Sequence, residues 1–548
     1  MELLVDLFGY LSIIIHGLVI LSQSMALGGA LFIVFLARPL DIPSIGPAAS
    51  RIAGWSAVAL LLSEAFTVGL QVAVLMATVD LSFWDSMGAG FAIAGTIKML
   101  AALALALLLL TKGERSPAWA LLGLTLIELL AATLTTHAEA RLDDRFILLL
   151  VEGLHQLGAA IWIGGLPCFL LALARVRDGV LLRRVGARYS RMSMVGVACI
   201  LLSGLTMSLF YIGSWQGFYG TAFGVMVGAK IAMFLMLLCL GAANFSVTER
   251  LRNDPATPVI RLRRFAEVEF GIGIAIFFAA ASLTSVPPAV DLTQDRVTWA
   301  EIVARNTPEW PRLSSPDHDT LALPALQEKL DQEAATHAAR PQAAFVPGAG
   351  VLPPRNADDI AWSEYNHHWA GLFVIAIGFL ALLNRAGLRI ARHWPLLFMG
   401  LAVFLFFRSD PETWPMGDIG FMESFRDVEV LQHRAFVLLI IVFALFEWRV
   451  RVGGLSQSKA VLVFPLLCAG GGTLLLTHSH AIANLKDQLL IELTHTPLAL
   501  AGIVAGWSRW LEIRLDPRNN PTTWVVASWL WPVCLVFCGF LLLMYREA

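Results

Sequence analysis

Fourteen apolar runs, most of them near the about 20 residues a helix needs to cross a ~30 Å hydrocarbon layer, constrain this chain more than any other feature. They lie at approximately 9–36, 52–78, 88–111, 117–136, 146–173, 192–212, 222–246, 265–286, 367–384, 394–408, 428–448, 460–477, 487–508 and 524–544, the tenth being the shortest. In lipid every backbone N–H and C=O must find its partner within the protein, which leaves helices or a closed barrel. Because the runs are continuous and do not alternate, the expected fold class is all-α, a polytopic membrane protein of about fourteen transmembrane helices. Only 15% of the 548 residues are charged, against roughly 25% in a soluble protein. The first residues, MELLVDLFGY, are acidic where a signal peptide is basic, so the first run is expected to remain as a helix. All six cysteines fall in apolar runs and none forms a CxxC, so neither disulfides nor a zinc site is expected.

Lys and Arg set the orientation. Alternate short loops at 37–51, 111–117, 174–191, 247–264, 385–393, 449–459 and 509–523 hold 24 of them, while the short connections and termini of the other side, with Arg408 at the end of the tenth run included, hold six. The positive-inside rule then puts both termini outside the cytoplasm, as an even number of helices requires. The net charge of -2 says nothing about partners, and basic residues used for orientation give no reason to expect nucleic acid.

One connection, Pro287 to Asn366, is long, mixed in charge and rich in Pro and Ala, with one amphipathic stretch at Leu323–Ala335. It divides the chain into an eight-helix block at 1–286, an outer loop at 287–366 and a six-helix block at 367–548.

A segment in each block repeats a polar pattern. Thr135 to Gly165 carries His137 in a loop, then Glu152-x-x-His155 on one helical face; Thr477 to Gly506 carries His478 and His480, then Glu492-x-x-His495. Helix 9, with His367 and His368, would correspond to helix 1, with His16, so a parallel internal repeat is expected. In this topology eleven of the twelve histidines, including His433, lie in the outer half of the membrane or beyond it, His393 being the exception. His155 and His495 sit about nine residues, or ~13 Å, into their helices. A lone membrane histidine is often satisfied by one neighbour. Imidazoles from several helices at one depth, however, are what a metal ion or a haem needs. Glu152 and Glu492, one turn from their histidines, fit as groups that orient an imidazole or join it as a ligand.

Lys98, Lys230, Glu64 and Glu128 are also within the membrane, where an unpaired charge costs roughly 2.5–3.5 kcal/mol or more, so mutual pairing or a wet cavity is expected. Met226 and Met233 share a face with Lys230, and Met236 and Cys239 follow. Methionine suits Cu(I), so this face reads either as a transport path or as ordinary gap-filling between helices.

His155-x6-Trp162-x-Gly164-Gly165-Leu166, RYSRMSMVGVACILLSGLTMSLFYIGSW at 188–215 and TAFGVMVGAKIAMFLMLLCLGAAN at 221–244 resemble the core of the CopD/PcoD copper resistance membrane proteins. Lys230 and Asn244 match that pattern's central lysine and terminal asparagine. The resemblance covers residues 1–290 in helix count and is motif-specific over about 150–246; the block at 360–548, with WSEYNHHW and EVLQHR, is absent from the short form of the family. It implies a bacterial inner-membrane protein that moves copper from periplasm to cytoplasm, often beside a periplasmic CopC-type copper-binding partner.

Three functions are therefore open. The leading expectation is copper binding at the outer side, by His16, His137, Glu152 and His155 in the first block and by His367, His368, His433, His478, His480, Glu492 and His495 in the second, followed by import. A second is a b-type haem electron carrier using His16, His155, His433 and His495. A third is an assembly factor that holds copper for a respiratory oxidase. No hydrolase triad, phosphate loop or nucleotide fingerprint is visible, so neither an enzyme nor ATP-driven pumping by this chain alone is expected.

Overall fold

The computed structural model describes residues 8–42, 45–79, 81–141, 143–292, 296–315, 357–411, 413–455, 458–477 and 485–547. The amphipathic stretch at 323–335 lies outside them. The fourteen apolar runs correspond to fourteen helices. Twelve are long and apolar enough to span a membrane: α1 Phe8–Leu40, α2 Gly46–Thr78, α3 Gly90–Thr111, α5 Arg145–Arg175, α6 Gly179–Tyr211, α7 Ala222–Asn253, α8 Ile260–Leu283, α9 Ile360–Arg385, α10 Arg389–Arg408, α11 Val430–Arg451, α13 Leu489–Arg514 and α14 Pro521–Leu543. The other two, α4 Ala118–Thr133 and α12 Lys459–Leu475, are shorter. They hold corresponding places, each just before the helix that carries Glu-x-x-His. The tenth run, short by sequence, reaches spanning length because a 3-10 turn at Arg389–Leu396 precedes its α-helical part. The chain is a multi-pass membrane protein. Side chains such as Leu62, Phe66, Leu205 and Leu209 face outward in mid-helix, as contact with lipid requires.

The chain divides into two compact units. One contains Leu11–Gly217 and Lys230–Asp291; the other contains Phe218–Ala229, the described residues from Leu292 onward and the first turn of α1. In the first unit, α2 packs on α3, α3 on α4, and α5 on α6. Without a hydrophobic drive between helices in lipid, close packing depends on small residues. The W-x-G-G-L segment shows how. A methyl on Gly164 would come within 1.8 Å of the Ser24 carbonyl oxygen, and one on Gly28 within 2.2 Å of the Ala160 oxygen. So α1 and α5 meet backbone to backbone, at a π-helical turn spanning Ala160–Gly164. Trp162 and Leu166 of the same motif are buried beside that contact.

In the second unit α9 packs along α14, α12 along α13, and α13 against α14. Its core is aromatic: Trp394, Phe398, Phe443, Phe464 and Trp531 are buried together, with Trp394 and Trp531 ring centroids 5.5 Å apart. After α14 ends at Leu543, Tyr545 turns back into the unit and is 1% exposed.

Candidate metal centre

The first unit places Glu152 and His155 on α5 among polar groups from three other helices. His155 Nδ1 lies 2.9 Å from Ser203 Oγ on α6. Ser203 donates its own hydroxyl proton to the Cys199 carbonyl at 2.6 Å, so the imidazole is the donor in the first bond and its acceptor nitrogen is Nε2. Gln156 donates to Glu152 Oε1 at 3.1 Å and accepts from Gln23 of α1 at 3.0 Å. Glu152 also attracts Lys230 of α7 electrostatically. This cluster pairs a carboxylate with an ammonium and amides, and it presents one imidazole. His16 lies half-buried on α1 in the same unit. His137 opens the short helix His137–Ala140, but its side chain, like His478 and His480, lies outside the described residues.

The second unit brings two of its histidines into ring contact. His367 of α9 and His495 of α13 meet edge to face with ring centroids 5.9 Å apart. Tyr545 stacks on His367 at 3.8 Å and meets His495 edge-on at 5.9 Å. His433 of α11 is close enough for its charge to act on His367, as does that of His495. Two imidazoles from two helices are thus in ring contact, and a third lies within electrostatic reach of one of them.

Their hydrogen bonds select one tautomer. His367 Nδ1 donates to the Ser363 carbonyl at 2.8 Å, and His495 Nδ1 donates to the Ile491 carbonyl at 3.0 Å, each reaching four residues back along its own helix. His433 Nδ1 donates to Asp410 Oδ1 at 2.8 Å. With Nδ1 protonated in all three, the lone pair that can bind a metal is on Nε2. The carboxylate–histidine arrangement of Asp410 and His433 is a common way to fix and strengthen an imidazole ligand. Burial pushes the Asp410 carboxyl up, but the His433 hydrogen bond and charge, a bond from Ser409 and the Arg434 charge outweigh it and hold Asp410 below its ordinary value.

Sequence reasoning assigned the orienting role to Glu152 and Glu492, and the geometry gives it to other groups. Glu152 is held by Gln156, and Glu492 by the Thr496 hydroxyl at 3.1 Å, in each case four residues along the same helix. His368 is also differently placed: Nε2 donates to the Tyr545 carbonyl at 2.8 Å and Nδ1 accepts the Arg312 backbone N–H at 2.7 Å. With both ring nitrogens engaged, it ties the chain on either side of the histidine cluster to α9. On α7, Met233 belongs to the first unit and Met226 to the second; both are buried, Met236 is half-buried and Cys239 is exposed, so the buried face does not extend to the cysteine.

Asp410 and Tyr545 were missed by sequence reasoning. One of several acids in the α10–α11 connection, and an aromatic residue just past the last apolar run, were the available signals. Burial, then the charge and hydrogen bond of Glu547, keep the Tyr545 phenol well above its ordinary range, so it stays a hydroxyl donating to Glu547. Among the described residues no group of three or more His, Cys, Asp or Glu side chains is placed so as to hold a metal ion.

Residues 183–283 match the family described as CopD, Copper resistance protein D. A curated relative, the Copper transport protein CutJ of Bacillus subtilis (strain 168), is 33% identical over 162 residues, which is 29% of this chain and 29% of that protein. The matched stretch is thus under a third of either chain. No solved structure matches. The family match includes Ser203, Met226, Lys230, Met233 and Met236, and lies wholly before the second unit's histidines.

Proposed function

We propose that this chain, similar to the CopD family over residues 183–283, binds copper at its extracytoplasmic side and imports it across the bacterial inner membrane. The observation that supports the reading is the ring contact of His367 with His495, with His433 within electrostatic reach, each donating from Nδ1 and so carrying its lone pair on Nε2. Imidazole serves both Cu(I) and Cu(II). A similarity to a protein named for copper transport supports copper over other metals that imidazole would accept.

The proposed cargo site is His367, His433 and His495, positioned by Asp410 and walled by Tyr545. His478 and His480 precede the helix of His495 and are proposed as its entry, fed by a periplasmic CopC-type copper-binding protein. His16, His137 and His155, with Glu152, form the proposed second station in the first unit. Met233 and Met236, flanking the Lys230 level of α7, are the soft groups proposed to take Cu(I) deeper, with Met226 as their counterpart nearer the start of that helix. His368 is left out of the ligand set because both its ring nitrogens are engaged, and Glu492, like Glu152, is proposed in a supporting role.

Metal analysis and an optical spectrum of the purified protein test this reading. Copper bound in stoichiometric amount without a sharp Soret band is expected; bound iron with that band would replace it with a haem electron carrier. In cells lacking the protein, copper uptake should fall. Unchanged uptake together with loss of an oxidase would instead indicate a copper-holding assembly factor.

A further inference from the structure

Away from both histidine regions, α2, α3 and α4 put three ionisable side chains into the apolar interior of the first unit. Lys98 Nζ and Glu64 Oε2 form an ion pair of 2.7 Å, with side chains 3% and 5% exposed. Gly95 makes the room: a methyl there would stand 3.2 Å from Glu64 Oε1. Glu128 of α4 is fully buried, and neither of its carboxyl oxygens accepts a hydrogen bond from the described residues. The charged groups acting on it are Lys98 from α3 and Glu64 from α2, while α5, which also packs against α4, contributes none.

The charge count decides the protonation. Glu64 and Lys98 neutralise each other, so an ionised Glu128 would leave one net negative charge within the membrane with no donor to stabilise it. Such a charge is costly, and a carboxyl so placed takes up a proton instead. Lys98 is the one cation acting on it, and Lys98 is committed to Glu64. We infer that Glu128 is a membrane-embedded proton-binding site governed by the Glu64–Lys98 pair. Glu128 holds its proton while Lys98 stays on Glu64, and it gives the proton up when Lys98 is drawn toward its own carboxylate. The loaded cluster is neutral and the unloaded one carries a single negative charge, so binding and release move one proton. This inference does not depend on copper.

Infrared difference spectra of the full-length protein in lipid vesicles, taken as pH is raised, test it directly. A protonated-carboxyl C=O band should be present at neutral pH, titrate away on the alkaline side, and be missing from Glu128→Gln. Lys98→Met strips Glu64 of its partner, so a second band of similar size should appear. A hydrophobic carbodiimide gives a check that needs no variant. It takes the acid proton onto nitrogen while the carboxyl oxygen bonds its central carbon, and the adduct rearranges to an N-acylurea that mass spectrometry locates. Glu128, with no donor on its carboxyl oxygens among the described residues, should label more than Glu64, which is held by Lys98. A titrating band that survives in Glu128→Gln, the absence of any titrating band, or preferential labelling of Glu64 would overturn the inference.

Discussion

Glu152-x-x-His155 and Glu492-x-x-His495 share a spacing, yet His155 meets a serine hydroxyl where His495 meets a second imidazole and a buried phenol. The spacing fixes only that glutamate and histidine lie on one helical face. What the face can do depends on the helices opposite it. In the first unit α1, α6 and α7 bring Gln23, Ser203 and Lys230, a hard, self-neutralising set. In the second, α9 and α11 bring imidazoles, with Asp410 behind one of them. The copy with the W-x-G-G-L segment beside it is therefore the poorer in imidazoles, and that segment serves the contact between α1 and α5.

The comparison breaks most visibly at the two histidines. His495→Ala should weaken copper binding beyond the roughly 10–100-fold that loss of an orienting partner costs, whereas His155→Ala should leave most bound copper in place; copper titration of the two purified variants reads this. If His155→Ala has the larger effect, the ranking of the two regions is reversed. Asp410→Asn should weaken binding by roughly 10–100-fold, since His433 loses its anionic partner.

Acid sharpens the Asp410 prediction. Its folded value lies below its unfolded one of about 3.9, so the stabilisation from the His433 pair is fully present above that pH and is lost as pH falls through the lower folded value. Thermal melting of wild type and Asp410→Asn should therefore differ at neutral pH and converge in strong acid. A difference that persists there would mean that Asp410 acts by packing alone.

Tyr545→Phe keeps the ring stacked on His367 and removes the hydroxyl that Glu547 accepts, so it should cost roughly 1.5–3 kcal/mol of stability and leave the copper spectrum unchanged. A shifted spectrum would place the phenol oxygen among the ligands. Gly164→Ala should cost roughly 1–3 kcal/mol through overpacking, seen as a lower melting temperature with copper binding intact. Loss of copper in that variant would tie the W-x-G-G-L contact to the metal site after all.

The helices were legible in the sequence because lipid leaves backbone groups no other partner, and each apolar run had to become one. The lengths of α4 and α12 were less so, as hydropathy does not mark where a helix stops inside an apolar run. The histidines stood out by type and side. Their grouping did not: nothing local joins His367 to His495, or Asp410 to His433, since these meet only after α9, α11 and α13 pack. Tyr545 was hidden for the same reason, being one residue past the region where hydropathy is informative. Lys98 and Glu64 were expected to pair or to line a wet cavity and pair at 2.7 Å, while Glu128, under the same expectation, accepts no hydrogen bond among the described residues.

Copper X-ray absorption of the wild type against a variant with His367, His433 and His495 all changed to alanine tests the central claim most directly. The wild type should show copper with imidazole nitrogen neighbours, and the variant should lose that copper and its imidazole scattering while His155 and His16 remain. Undiminished copper with an unchanged spectrum in the variant would contradict the account and return the site to the first unit.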